Sequence, residues 1–313
     1  MIMSPRSVTA LFRGLPLLLV LAASTLSAQA PPQPRTDFPK APPLPDLTGK
    51  VALITGSTDG LGRDVARRLA QAGAHVLITG RSEERGKALV DEINRSGRGS
   101  AKFYQADLAS LDATRRLAAS VRRDNKRLDL LINNAGVGFI FDSTRKFSAE
   151  GHEMHFAVNY LAHYLLTKEL QSLVVASAPS RIINVSSGSQ TAIDFDDVMM
   201  AKGYNGGRGY AQSKLAQIMM TIDMAPELER HGVLTYSLHP ATTMGTTMAL
   251  ALKVNPRSTI AEGVESVVNA VTTTEPSGTY FNQLKPVKAH AQAYDVEARD
   301  KLRTLAERLI APK

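Results

Sequence analysis

Six short apolar runs recur along the chain, each without polar alternation. They are KVALITG (50–56), HVLITGR (75–81), AKFYQADL (101–108), LDLLINNAG (128–136), RIINVSS (181–187) and VLTYSLHP (233–240). A strand with one wet face alternates apolar and polar residues, whereas a continuous run is buried on both faces. Between the runs lie stretches with helical spacing: DVARRLAQAG (64–73), ERGKALVDEINRSG (84–97), ATRRLAASVRRDNKRL (113–128), then 149–173 and 209–230. Alternation of this kind gives a parallel sheet covered by helices on both sides. Right-handed crossovers make it a doubly wound α/β fold of the Rossmann type. Residues 47–313 show no break in composition and no internal repeat, and are read as a single domain. Ligands of such a sheet bind at the C-terminal ends of its strands, so those ends hold the candidate chemistry.

Ahead of the domain, residues 1–30 carry Arg6 and Arg13, an apolar run from Leu15 to about Leu26, and the ending Ala28-Gln29-Ala30. That is the layout of a secretory signal peptide, and the apolar run is short against the roughly 20 residues of a membrane span. Two readings stay open. One is a cleaved signal and an exported protein, periplasmic or secreted; the other is an uncleaved membrane anchor with the domain facing the cytoplasm. There is no twin arginine. Residues 31–46 hold seven prolines and read as an extended linker. The net charge of +8 is scattered among acids, which fits a solvated basic surface and no nucleic-acid partner. The lack of cysteine excludes disulfides, a thiolate nucleophile and thiolate-bound metal.

The first strand ends in TGSTDGLG. Thr55, Gly56, Ser57, Asp59, Gly60, Leu61 and Gly62 form a strand-to-helix turn suited to a dinucleotide. Its glycines let a phosphate approach the backbone, and the next helix offers unpaired N–H groups and its positive dipole end. At the second strand end, where an acid would hold the ribose hydroxyls of NAD, the chain has Gly80 and then Arg81. A guanidinium there favours NADP(H) over NAD(H). At the third, Asp107 and Leu108 either meet the adenine or, in the case of Asp107, cap the helix that follows. At the fourth, Asn134, Ala135 and Gly136 leave room for a ribose, while Asn133 braces neighbouring strands. At the fifth stand Ser186 and Ser187, and Tyr210 follows 23 residues after Ser187, with Lys214 four residues further on. Residues four apart share a helix face. A free phenol has a pKa of about 10, and a nearby cation lowers it. No metal is expected: His75, His152, His155, His163, His231, His239 and His290 show no ligand spacing tied to acids. HEMH (152–155) reads as core packing or exposed surface rather than zinc.

Together TGSTDGLG, NNAG, Asn159 in FAVNYLAHYLLT, NVSS and YAQSK resemble the short-chain dehydrogenase/reductase family, from about Leu47 to the C-terminus. INVSSGSQTAIDFDD and SKLAQIMMTIDMAPELERHGVLTYSLHPATT are most similar to its retinol-dehydrogenase-like branch. The tail AHAQAYDVEARDKLRTLAERL is similar to tails of bacterial members of that branch. The resemblance implies an NAD(P)-dependent oxidoreductase acting on a carbonyl/alcohol pair, with a small or lipophilic substrate. It implies Tyr210 as general acid/base, Lys214 binding the nicotinamide ribose and lowering the Tyr210 pKa, and Ser187 on the substrate oxygen. Asn159 would hold a water in a proton relay to Lys214. It also implies that oligomers are common. A non-catalytic dinucleotide-binding sensor or scaffold is the rival reading, but it would not need Asn159, Ser187, Tyr210 and Lys214 together. An epimerase or dehydratase would call for a larger C-terminal substrate domain. Two features depart from the pattern or extend it. Pro240-Ala241 stands where the family commonly has Pro-Gly, ahead of Thr242, Thr243 and Thr246, which are expected at the nicotinamide carboxamide. MGTTMALALKVNP (244–256) reads equally as a substrate lid or a helix packed in the core.

Overall fold

The computed structural model describes Met1 and residues 37–312. The signal or anchor reading of the N-terminus, like the start of the proline-rich linker, falls on residues 2–36, outside the described residues. The six expected strands are β1 (Val51–Ile54), β2 (His75–Gly80), β3 (Ser100–Gln105), β4 (Leu130–Asn133), β5 (Ser180–Val185) and β6 (Val233–His239), joined by β7 (Tyr280–Asn282) and β8 (Lys285–Pro286). They form one sheet in the order β3-β2-β1-β4-β5-β6-β7-β8, parallel throughout except for the β7–β8 pair. The order reverses between β1 and β4, the place where a doubly wound sheet opens a crevice.

The apolar runs are continuous because both faces are covered. Leu53 pairs in register with Leu77 and Leu131, and all three pack against Leu117, Ala118 and Leu166 of α3 (Leu111–Asp124) and α4 (Ala162–Ala176). Their neighbours Ile54, Val76, Ile78 and Ile132 point the other way. They meet Val65 and Leu69 of α1 (Gly60–Gln71), Leu89 of α2 (Glu83–Ser96) and Val267 of α7 (Ile260–Thr272). A third cluster joins Tyr160, Tyr164, Leu215, Ile218 and Met219 to Leu302 and Ala306, which tie α5 (Gly206–Glu229) to α8 (Val296–Ile310).

Two boundaries differ from the pattern-based ones. Residues 149–153 are not helical: Phe147 and Glu153 form an antiparallel bridge, and Glu150 turns back to accept from Leu111 N at 2.7 Å. The helix then enters through a π-helical turn, Phe156–Leu161, before α4. Residues 38–46, read as linker, lie against the domain. Phe38 and Ala41 are buried, and Ala41 N donates to Glu265 at 2.9 Å. Two apolar side chains and one satisfied amide hold this part of a proline-rich segment in place. Among the described residues no helix is long and apolar enough to cross a membrane.

Candidate active site

The turn after β1 is shaped by close approach. Gly56 and Gly60 have φ of 65° and 51°, a region that favours glycine. A Cβ on Gly62 would sit 2.6 Å from Gly56 O and 2.5 Å from Asn134 Nδ2. Asp59 caps α1 by accepting from Gly60 N at 2.8 Å. Ser57, expected among the cofactor contacts, is turned inward. Its N–H goes to Thr79 O, and its hydroxyl lies between Ile54 O and Thr79 N. It therefore braces β1 against β2. Thr55 is also buried: its Oγ1 accepts from Asn134 N at 2.8 Å and Ala135 N at 2.9 Å, welding this turn to the end of β4. Asn133 does bridge strands, donating to Asn184 and Thr167. Gly62→Ala should cost about 1–3 kcal/mol of stability, since the added methyl meets a backbone carbonyl and a fixed amide. Urea unfolding with a wild-type midpoint would contradict this.

At the ends of β2 and β3, Arg81 is exposed and lines a groove of about 700 Å³ with Gln105, Asp107 and Arg116. Asp107 accepts from Ala109 N at 3.0 Å, whereas the cap of α3 is Ser110, which accepts from Ala113 N. The capping alternative for Asp107 is thus replaced by a local turn that leaves the carboxylate at the groove. Leu108 is buried beneath it. Arg85 of α2 escaped the sequence reading; its Nη1 stands 3.3 Å from Asp59 Oδ2.

The ends of β5 and α5 bring the expected catalytic residues together. The two serines divide cleanly: Ser186 Oγ is spent on Lys214 O at 2.7 Å, while the Ser187 side chain interacts with the Tyr210 phenol. Burial raises the Tyr210 pKa and Ser187 pulls it back in part. The lowering by Lys214 expected from sequence is not what the arrangement of groups gives. The Lys214 ammonium is 5.8 Å from the Tyr210 ring centre and donates instead to Val185 O at 2.9 Å and Gln217 Oε1 at 2.8 Å. Burial pushes Lys214 itself down to about 7. Asn159, fully buried in the π-helical turn, accepts from Val137 N at 2.8 Å and donates to Val137 O and Ser213 Oγ. Gly136 leaves the space in front of Asn159 and Lys214: a Cβ there would lie 3.3 Å from Asn159 Oδ1 and 3.5 Å from Lys214 Nζ.

Sequence reasoning missed the link between these two halves. Gln217 reaches from Lys214 to His163 Nδ1 (3.2 Å), and His163 Nε2 lies 3.0 Å from Thr55 Oγ1. A buried polar chain therefore runs from the lysine to the phosphate turn. The one available signal was helical: Gln217 sits three residues after Lys214, and His163 four after Asn159.

The segment after β6 crosses the cleft. Ala241 keeps an ordinary backbone, and the positive φ falls on Thr243 at 50°, an unusual place for a β-branched residue. Thr242 Oγ1 is 3.1 Å from His239 Nε2. The short helix α6 (Thr247–Ala251) is capped by Thr246 and tied to the phosphate turn by Thr247 Oγ1 donating to Asp59 Oδ2 at 2.6 Å. Met248 faces Gly138, where a Cβ would meet its sulfur at 3.0 Å and Tyr210 Cε2 at 3.7 Å. Ala249 is buried but Leu250 is 62% exposed, so this helix lies at the surface and is not packed in the core. HEMH is not plain packing either: Glu153 and His155 form a fully buried hydrogen-bonded pair. Among the described residues no group of three or more His, Asp or Glu is placed to hold a metal ion.

A profile of the short chain dehydrogenase family matches residues 50–257, more than half of the chain. The chain is 41% identical to human retinol dehydrogenase 11 over 199 residues, 63% of this chain and 62% of that protein, so this match spans less than two thirds of the relative's length. It is 34% identical to human retinol dehydrogenase 14 over 295 residues, covering 84% of this chain and 87% of that one. Among solved structures, an uncharacterized protein from Mycobacterium paratuberculosis superposes with a TM-score of 0.71 at 26% identity, over 85% of this chain and 95% of that one. A metagenomic short-chain oxidoreductase in complex with NADP gives 0.54 at 32% identity, over 63% and 84%. The profile match, the doubly wound sheet and the relatives agree: the chain belongs to the short-chain dehydrogenase/reductase family, in its retinol-dehydrogenase-like branch.

Proposed function

We propose that this protein is an NADP(H)-dependent oxidoreductase that interconverts a lipophilic carbonyl and its alcohol. The observation that carries the reading is the convergence of Ser187, Tyr210 and Lys214 at the strand-end crevice beside the glycine turn. A bound nicotinamide supplies the hydride. The turn after β1 fits its phosphates, because its glycines at positive φ make a tight turn with no side chain between the backbone and the N-terminus of α1. Tyr210 donates a proton to the substrate oxygen in reduction and withdraws it in oxidation, and Ser187 holds that oxygen in place. Lys214 supplies a cation at the ribose side, and Asn159 anchors the backbone of the relay. Thr242 and Thr246 line the carboxamide end. Met248, beside Gly138 and Tyr210, gives the cleft an apolar contact suited to a lipophilic substrate.

Arg81 at the groove beside β2 and β3 supports NADP(H), as does the NADP complex of the metagenomic relative. Arg81→Glu should weaken NADP(H) by about tenfold or more while sparing NAD(H), the value of one charge-assisted phosphate contact. Equal or tighter NAD binding by the wild type would refute the preference. The function itself is tested by turnover of aldehydes, ketones and alcohols of graded chain length with both cofactors. No turnover of any of them would remove it. The apolar N-terminal run serves as anchor or export signal, and fractionation with protease accessibility distinguishes the two.

A further inference from the structure

Glu153 and His155 lie outside the catalytic set, yet both are fully buried, and His155 packs against Tyr210. The His155 and Tyr210 rings meet edge-on, 6.2 Å apart at an interplanar angle of 81°. The chemistry of the contacts fixes the His155 tautomer. Phe139 N, which can only donate, is 2.9 Å from Nε2, so Nε2 accepts. The ring proton is therefore on Nδ1 and is donated to Glu153 Oε1 at 2.8 Å. Glu153 also accepts from Phe156 N at 2.8 Å and from the Tyr204 hydroxyl at 3.2 Å. Burial works to raise this carboxyl, but the hydrogen bond from His155 leads the contacts that bring it below its ordinary value. It is thus an acceptor at every contact.

What the pair holds is a loop. Phe139 follows Gly138, the residue that faces both Tyr210 and Met248. Phe139 is pressed from the other side by the first turn of α5: a Cβ on Gly206 would fall on Phe139 O, and Gly206 N donates to Asp142 O at 3.1 Å. Gly209, directly before Tyr210, lies against the pair itself. A Cβ there would be 3.1 Å from His155 Nδ1 and 3.4 Å from Glu153 Oε1. Two glycines thus let the helix carrying Tyr210 close down on both the pair and the loop.

We infer that Glu153 and His155 are a positioning dyad that pins the Gly138–Phe139 wall of the substrate cleft against the helix bearing Tyr210, setting substrate fit rather than proton transfer. The inference rests on the proposed oxidoreductase reading for its consequence in catalysis, but not for its geometry. A histidine serves here because it alone presents an acceptor to the loop amide while donating to a carboxylate through a rigid ring.

The test has two independent readouts on the full chain. In ¹⁵N-histidine NMR of the wild type, His155 should show a protonated Nδ1 and a bare Nε2; a protonated Nε2 overturns the dyad outright. His155→Leu should accelerate exchange of the Phe139 amide and raise KM by about tenfold or more, with kcat changed far less and the NADP(H) dissociation constant unchanged, as expected for a displaced substrate wall. His155→Gln, which keeps an acceptor and a donor, should restore most of the KM. A folded His155→Leu with wild-type KM and Phe139 exchange, or a loss shared equally by cofactor binding, overturns it. Should His155→Leu fail to fold, Glu153→Gln and the wild-type tautomer still decide. If Tyr210→Phe turns over normally, the oxidoreductase mechanism falls while the tautomer and exchange results stand or fall on their own.

Discussion

Tyr210→Phe is expected to reduce turnover by roughly 100- to 10,000-fold, the range lost when a positioned acid or base is removed. The variant is nearly isosteric, so the fold and cofactor affinity should be unchanged. The phenol is held above its ordinary pKa by burial, with only partial relief from Ser187. Protonated at neutral pH, it is ready to donate, and because a catalyst cannot move the overall equilibrium, kcat/KM should fall by the same factor in both directions at any one pH. Alcohol oxidation needs the phenolate and should climb with pH in the wild type but not in the variant. Steady-state rates in both directions, with a cofactor titration as control, make the comparison. Undiminished turnover in the variant would overturn the assignment of Tyr210.

Acidification should strip stability from the cofactor-free protein well before its carboxylates titrate. His163 is fully buried among Thr55, Asn159 and Gln217, and burial, aided by the charge of Lys214, holds its pKa down to about 3. An unfolded histidine titrates near 6.5, so below that pH the unfolded chain binds a proton that the folded one refuses. The contribution is complete above about 6.5 and is lost as pH falls towards 3, at about 1.4 kcal/mol per pH unit. Against a typical total of about 5–15 kcal/mol, that is a large fraction. His75 and His239 are shifted in the same direction and add to the slope. His163→Gln isolates the share of His163: its urea midpoints between about pH 4.5 and 6.5 should fall less steeply than those of the wild type. Parallel slopes would show that His163 is not the group responsible.

The sheet was legible because its physics is local. Leu53, Ile54, Leu77 and Ile78 stand in runs that suit only a strand covered on both faces, and the glycine turn follows where a crevice must open. The residues proposed as catalytic could be picked out for a similar reason, since each lies at a strand end or one helical turn from another. What was hidden depends on pairs far apart in sequence. Thr247 reaches Asp59, Gln217 reaches His163, and Glu150 turns back on Leu111, and no periodicity announces any of them. HEMH was read as packing or surface, and its hydrogen-bonded pairing was hidden because the segment reverses within it: Glu153 forms a bridge and His155 is already in the helix. The Tyr210–Lys214 spacing promised a charge beside the phenol, but two carbonyl acceptors that the spacing does not reveal draw the ammonium away.

The π-helical turn at Phe156–Leu161 makes the length of this helix a functional quantity. Such a turn holds one residue more than an α-turn. Downstream, Leu166 and Leu170 are locked into the sheet, and a chain one residue shorter would close this turn to an ordinary α-turn, leaving the helix on either side in register and re-aiming only the residues within it. Asn159 would leave Val137 and Ser213, although no side chain had been changed. Single-residue deletions here should therefore be silent to helix content and ruinous to the site, a kind of damage that scanning by substitution cannot reach.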